Sequence, residues 1–234
     1  MPSDTTGSPR TVAVIPVLNE QGAIGPTLAR LPPCVDLAVV VDGGSTDGTV
    51  AEARAHGAEV IDERRRGYGR ACLTGAERAQ ALGAEYLLFL DGDGADAVEH
   101  ADDLLVPLRD GRAGFTIATR AGGRREPGSM GAHQLLAGHL IGAALGVICG
   151  TRYTDMCAFR ALRVADLMSL DMQEMTYGWN LEMQIKAPRA GLKVLEIPLP
   201  YFRRVAGESK VAGSWRGTWK AGTRIFATLV RHIR

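Results

Sequence analysis

Through its first half the sequence repeats one pattern, an apolar run closed by a polar cluster and followed by a stretch of helical periodicity. Val12-Ala13-Val14-Ile15-Pro16-Val17 opens the series, and further strand-like runs stand at 37–41, 58–62, 86–90 and 115–119. Helical patterns fill 20–30, 49–56, 70–82 and 97–109, two of them stopped by Gly57 and Gly83. Repeated alternation of this kind demands crossover connections, so it predicts an α/β fold, a mostly parallel sheet flanked by helices on both faces. Ligands of such sheets sit beyond the carboxyl ends of the strands. Polar clusters follow the first four runs: Asn19-Glu20, Asp42 to Asp47, Arg64 to Arg70, and Asp91 to Asp93.

Asp91-Gly92-Asp93 follows the apolar run Tyr86-Leu87-Leu88-Phe89-Leu90 and points two carboxylates at the mouth of the sheet. Hard cations such as Mg²⁺ or Mn²⁺ take oxygen ligands and are shared between carboxylates and a substrate diphosphate, which makes Asp91 and Asp93 the metal candidates. In Asp42-Gly43-Gly44-Ser45-Thr46-Asp47-Gly48-Thr49, the glycines permit close backbone approach and Ser45 or Thr46 can cap the next helix. Asp42, Gly44 and Asp47 are the ligand-binding candidates there. Arg64-Arg65-Arg66-Gly67-Tyr68-Gly69-Arg70 puts cations beside two glycines at a helix start, and Gly67 and Arg70 suit the phosphates or base of a nucleotide. Each cluster alone is also what an ordinary capped turn or solvated charge run looks like; their serial placement favours a site.

The second half is helical from Met130, then carries a strand at 193–197 and a Pro-punctuated exit. Residues 120–130 read as a mobile loop, 1–10 as a disordered leader, 11–212 as one catalytic unit and 213–234 as a further helix. The apolar stretch 135–149 falls short of the ~20 residues that cross a bilayer and reads as a small-residue helix packed closely on a neighbour. Lys and Arg number 27 against 26 Asp and Glu, which leaves no field to draw the chain onto nucleic acid. The four cysteines have neither metal-ligand nor disulfide-framework spacing, and with a polar start they point to a cytoplasmic protein.

Taken together, Pro16-Val17-Leu18-Asn19-Glu20, the segment from Asp42 to Thr49 and Asp91-Gly92-Asp93 resemble the family 2 glycosyltransferases of the GT-A fold. The resemblance implies an inverting hexosyltransferase with a nucleotide-diphosphate sugar donor, such as UDP-glucose or GDP-mannose. Pro16, Asn19, Glu20, Asp42 and Gly92 would then line the donor, Asp91 would lie near ribose or metal, and Asp93 would hold the Mg²⁺ or Mn²⁺. Arg120, where the family often has Gly-Ser-Arg, would face phosphate. The segment Tyr201-Phe202-Arg203-Arg204-Val205-Ala206-Gly207-Glu208-Ser209-Lys210 is similar to the Arg-x-x-Gly-x-Ser-Lys motif of dolichyl- and polyprenyl-phosphate transferases. Arg204, Ser209 and Lys210 would accordingly hold a polyprenyl phosphate acceptor. Ala158, in Thr154-Asp155-Met156-Cys157-Ala158-Phe159-Arg160, departs from the family's glycine, and Asp42-Gly43 stands where two acidic residues are common.

An ionised phosphate acceptor needs no general base, whereas a hydroxyl acceptor would, and Glu182 and Asp155 are the candidates for that role. Glu182 reads equally as a charge on a helix surface. Projected at about 100° per residue, Arg216, Lys220, Arg224, Arg231 and Arg234 fall within an arc of about 80°. Trp215, Trp219, Phe226, Leu229, Val230 and Ile233 gather on the other side. Such a helix suits the inner face of an anionic membrane, its own domain or a partner subunit, so peripheral membrane contact and homo-oligomerisation stay open. A soluble small-molecule acceptor, sugar nucleotidyl transfer and a catalytically silent nucleotide-sugar sensor are the competing readings.

Overall fold

The computed structural model describes residues 10–129 and 131–206, with the backbone alone at 132–137. The expected leader up to Pro9 and the expected helix at 213–234 lie outside the described residues, as do Ser209 and Lys210. The elements follow in the order β1 (Thr11–Val17), α1 (Ile24–Ala29), β2 (Leu37–Asp42), α2 (Thr49–Ala55), β3 (Glu59–Asp62) and α3 (Tyr68–Ala81). Then come β4 (Tyr86–Phe89), a single 3-10 turn at Val98–His100, α4 (Ala101–Arg109), β5 (Phe115–Thr119) and α5 (Ala132–Cys149). The described chain closes with β6 (Arg160–Arg163), α6 (Val164–Ser169), α7 (Trp179–Arg189) and β7 (Val194–Pro198).

These strands make one seven-stranded sheet in the order β3-β2-β1-β4-β6-β5-β7. All neighbours are parallel except β6, which runs antiparallel to β4 and to β5. Every residue of β4 is buried, as are six of the seven in β1, which is the burial expected of central strands covered on both faces. Pro16 is tolerated in β1 because pairing with β4 ends at Val14, so its missing N–H interrupts no ladder on that side. Behind the sheet, Trp179 of α7 meets the Phe89 ring edge-on with centroids 6.3 Å apart. The parallel strands thus all end at one rim, and β6 starts there.

β6 is the one strand the apolar periodicity does not announce. It is four residues long with arginine at both ends, and Arg160 is fully buried. Its guanidinium donates to the carbonyls of Cys157 and Asn180 and lies over the Phe115 ring, so hydrogen bonds and ring contact stand in for apolar character. α3 begins at Tyr68, two residues earlier than the periodicity places it, and the acidic helix expected from 97 divides into the 3-10 turn and α4.

α5 is the small-residue helix anticipated at 135–149. Among the described residues no helix is long and apolar enough to cross a membrane. A Cβ at Gly142 would stand 1.7 Å from the Tyr153 carbonyl oxygen, so α5 approaches the 153–155 backbone more closely than any side chain permits. Its opposite side is open, with Leu140 63% and Val147 89% exposed. Gly142→Ala should lower stability by about 1–3 kcal/mol through overpacking, read as a lower urea midpoint at unchanged m-value.

Candidate active site at the carboxyl rim of the sheet

The loops after β1 and β2 are stitched into one wall. Asn19 takes a positive φ of 52°, which asparagine tolerates better than most residues, and its Oδ1 accepts the Thr46 N–H at 2.8 Å. Ser45 Oγ accepts the Asn19 N–H at 2.8 Å and donates to Asp42. Asp42 is buried, and it turns its own loop by accepting the N–H groups of Gly44 and Ser45, each at 3.0 Å. Ser45 and Thr46 therefore do not cap α2. The N-cap of α2 is Gly48; Asp47 just before it accepts the N–H of Thr49 at 3.1 Å, and the Thr49 hydroxyl in turn accepts the Glu20 N–H at 2.8 Å. Burial works to raise the Asp47 pKa, but the hydrogen bonds from Thr49 and the Gln21 amide outweigh it and hold the carboxyl below its ordinary range. Gly44, at φ 94°, lets the loop turn without a side chain between the wall and the rim.

The run of arginines after β3 is assembled differently. A Cβ at Gly67 would lie 2.1 Å from the Met175 carbonyl oxygen and one at Gly69 would lie 2.4 Å from that of Glu174. Both glycines are thus used to seat the start of α3 on the 174–175 backbone, where the Arg70 N–H donates to Met175 at 3.0 Å. Arg64 and Arg65 are tied locally to Asp62 and Glu63, while Arg70 sits half-exposed in the first turn of α3.

At the end of β4 the chain folds back tightly. Gly92 carries no side chain because a Cβ there would lie 2.7 Å from Val17 Cγ1. The turn brings together Asp91, Asp93 and Asp96, with Asp93 Oδ1 accepting the Ala95 N–H at 2.9 Å and Asp96 accepting that of Asp91 at 3.2 Å. Burial, followed by repulsion from Asp93, pushes both Asp91 and Asp96 above the ordinary carboxylate range. Two arginines answer this charge. Arg204 pairs with Asp93 at 2.9 Å and with Glu20 at 3.0 Å, while Arg120 pairs with Asp155 through two bonds of 2.6 Å. The Arg120 guanidinium also lies 5.0 Å from the Tyr201 ring centroid.

Five carboxylates, Glu20, Asp91, Asp93, Asp96 and Asp155, thus face the guanidiniums of Arg120 and Arg204. Among the described residues no three His, Cys, Asp or Glu side chains are arranged to hold a metal by themselves. The surplus of buried carboxylate oxygen fits a hard divalent cation whose remaining ligands come from a bound molecule.

Sequence reasoning missed Asp96 and Tyr201, which form an isolated bridge with each other. Their partners lie far apart in the chain, and the only local hint was a third acidic residue close behind Asp93. Glu182 is the opposite case. It is 1% exposed, accepts the N–H groups of Gln173 and Glu174, and pairs with Lys186 at 2.8 Å. That role is not the surface charge anticipated for it. Asp155 likewise spends its carboxylate on Arg120 and on the Met156 N–H. Burial would raise its pKa, but Arg120 overrides this and lowers it.

The model of glycosyl transferase family 2 matches residues 12–168, from the first strand to α6. The chain belongs to that family. An uncharacterised glycosyltransferase of Mycobacterium tuberculosis is 32% identical over 209 residues, covering 88% of this chain and 91% of that protein. An undecaprenyl-phosphate mannosyltransferase of Micrococcus luteus is 29% identical over 220 residues, covering 87% and 88%. The crystal structure of glucosyl-3-phosphoglycerate synthase from M. tuberculosis with Mn²⁺, UDP-glucose and phosphoglyceric acid superposes with a TM-score of 0.75 at 22% identity, covering 97% of this chain and 80% of that one. The fold is accordingly the GT-A arrangement expected, and family membership sets aside nucleotidyl transfer.

Burial alone would raise the Glu182 pKa, but Lys186 and the amides of Glu174 and Gln173 pull it below its ordinary 4.5. Its stabilising effect is therefore complete above about pH 4.5 and lost as pH falls through the depressed folded value. Urea midpoints measured from pH 3 to 7 should show wild type exceeding Glu182→Gln at neutral pH, with the gap closing in acid.

Proposed function

We propose that this family member moves a hexosyl unit from a nucleotide-diphosphate sugar to the phosphate of a polyprenyl phosphate. The observation that carries this reading is the rim itself, an acidic turn with two arginines, in which both carboxylates considered as proton acceptors, Glu182 and Asp155, are committed to structural partners. A phosphate monoester is already ionised near neutral pH and requires no base, so charge neutralisation and positioning suffice. The names of the undecaprenyl-phosphate mannosyltransferase, of a polyprenol monophosphomannose synthase at 28% identity and of a dolichyl-phosphate hexose transferase at 30% support the acceptor class.

In this reading the wall of Asn19, Glu20, Asp42, Gly44 and Asp47 borders the nucleotide, and Arg70 with Gly67 closes the side next to it. Asp91 and Asp93 would hold Mg²⁺ or Mn²⁺, which as a Lewis acid would neutralise the departing diphosphate. The bond from the anomeric carbon to the diphosphate oxygen breaks as a bond to an acceptor phosphate oxygen forms on the opposite face, inverting the centre. Arg204 is held against the acidic turn and precedes Ser209 and Lys210 closely in the sequence, which suits it to steering the acceptor's charge. Working on a lipid would place the enzyme peripherally at the cytoplasmic membrane face.

A second reading keeps the donor and substitutes a soluble phosphorylated acceptor, favoured by the structural similarity to a glucosyl-3-phosphoglycerate synthase. Enzyme incubated with Mn²⁺ and labelled UDP-glucose or GDP-mannose should move label into the organic phase when undecaprenyl phosphate is present. Label transferred to 3-phosphoglycerate instead would establish the second reading, and no transfer to either would defeat both. Asp93→Asn should lower kcat/KM by at least about 100-fold.

A further inference from the structure

Among the described residues the two most exposed large apolar side chains are Val147, at 89%, and Leu140, at 63%, and both belong to α5. They stand nearly in line along the helix, because seven steps of about 100° return to within about 20° of the start. Ala143 between them is exposed as well. The stripe cannot turn inward. The opposite side of α5 is already seated, since a Cβ at Gly142 would strike the Tyr153 carbonyl, one at Gly138 would lie 3.5 Å from that of Thr154, and Leu145 is fully buried.

The chain around this stripe supplies one sign of charge. No Asp or Glu stands between Glu126 and Asp155, and the two that bound the interval are engaged, Glu126 by the Arg203 N–H and Asp155 by Arg120. Arg152 runs beside the helix, its Cβ 3.7 Å from where a Cβ at Gly146 would be, and Arg189 of α7 donates to the Ile148 carbonyl at 3.3 Å; both are exposed. Aliphatic side chains flanked by guanidiniums match a layer that presents phosphates above acyl chains. A second copy of the chain matches less well, because an isologous contact sets the patch against itself and brings cation to cation.

We propose that the open stripe of α5, with Arg152 and Arg189 beside it, is the surface by which the protein lies on an anionic lipid bilayer. The helix rests in the plane of the headgroups and does not cross them. A Cβ at Gly138 would lie 4.0 Å from Asp155 Oδ1, and Asp155 holds Arg120 at the acidic turn, so the rim stands roughly one helix diameter, on the order of 10 Å, from the lipid. The proposal rests on the polyprenyl phosphate reading for its use in catalysis, naming the face that meets the acceptor's membrane, but the binding itself does not depend on that reading.

Flotation of the full chain with vesicles of equal parts phosphatidylcholine and phosphatidylglycerol, free of polyprenyl phosphate, tests the surface apart from the acceptor. Wild type should float with these vesicles and not with phosphatidylcholine alone. Leu140→Gln combined with Val147→Gln should lower the partition coefficient at least about tenfold, the scale of two aliphatic side chains left in water. Arg152→Gln should lower it about fivefold, the scale of one cation at an anionic surface. Val106→Gln, at an exposed apolar position on α4, should bind as wild type does, and every variant should keep its thermal midpoint. Wild type that stays unbound, a double variant that binds equally, or an equal loss in Val106→Gln would each overturn the proposal. So would a wild-type dimer that the double variant splits, which assigns the stripe to a second copy, or a lower thermal midpoint in the double variant, which assigns it to the chain's own residues after 206. Transfer to undecaprenyl phosphate is read separately: vesicle binding without transfer defeats the acceptor reading alone, and transfer by a protein that floats with no vesicle defeats this surface alone.

Discussion

Uncompensated negative charge at the end of β4 governs how the rest of the rim is arranged. Asp91 and Asp96 are pushed toward their neutral forms by burial and by Asp93, and the chain meets that pressure with Arg204 from one side and Arg120 from the other. Each arginine is itself bound to a second carboxylate, Glu20 or Asp155, so the β1 loop and the 154–157 segment are drawn to the same centre. The electrostatic problem created by one turn thus fixes the relative positions of segments almost two hundred residues apart in the chain.

The sheet supplies what those contacts need. Parallel strands β1, β2 and β4 end together, and the reversed strand β6 begins where they end, so Cys157 and the buried Arg160 support the rim from inside the sheet. Arg160 satisfies its donors on the carbonyls of Cys157 and Asn180, and Cys157 lies against Asp96. An arginine in the core therefore carries the acidic turn on one side and the start of α7 on the other.

Most of the fold was legible because the strands that matter are apolar through their length and stop at polar clusters. β5 was read at its observed limits, and β1, β2, β3 and β4 within a residue or so. β6 escaped because a periodicity argument counts Arg160 as surface, and only tertiary contacts reveal how its charge is accommodated. The site divides along the same line. Asp91-Gly92-Asp93 could be found because adjacency at a strand end is local information. The packing of Gly67 and Gly69 was not legible because a glycine beside a ligand and one that admits a neighbouring backbone look identical in sequence, and the burial of Glu182 was not because its amide partners at 173–174 leave no mark on helical spacing.

The reversed strand has a further effect on how the molecule can vary. Because β5 ends and β6 begins at the same rim, the intervening chain from Arg120 to Phe159, α5 included, leaves and re-enters the sheet at one edge. The bidentate Arg120–Asp155 pair clamps its two ends together like the neck of a loop. Inside that neck the Arg124 carbonyl accepts the Tyr201 N–H, and Thr154 donates to Glu196 of β7, so the excursion is tied both to the chain that bridges Asp96 and to the far edge of the sheet, and a change of length within it would be felt at each.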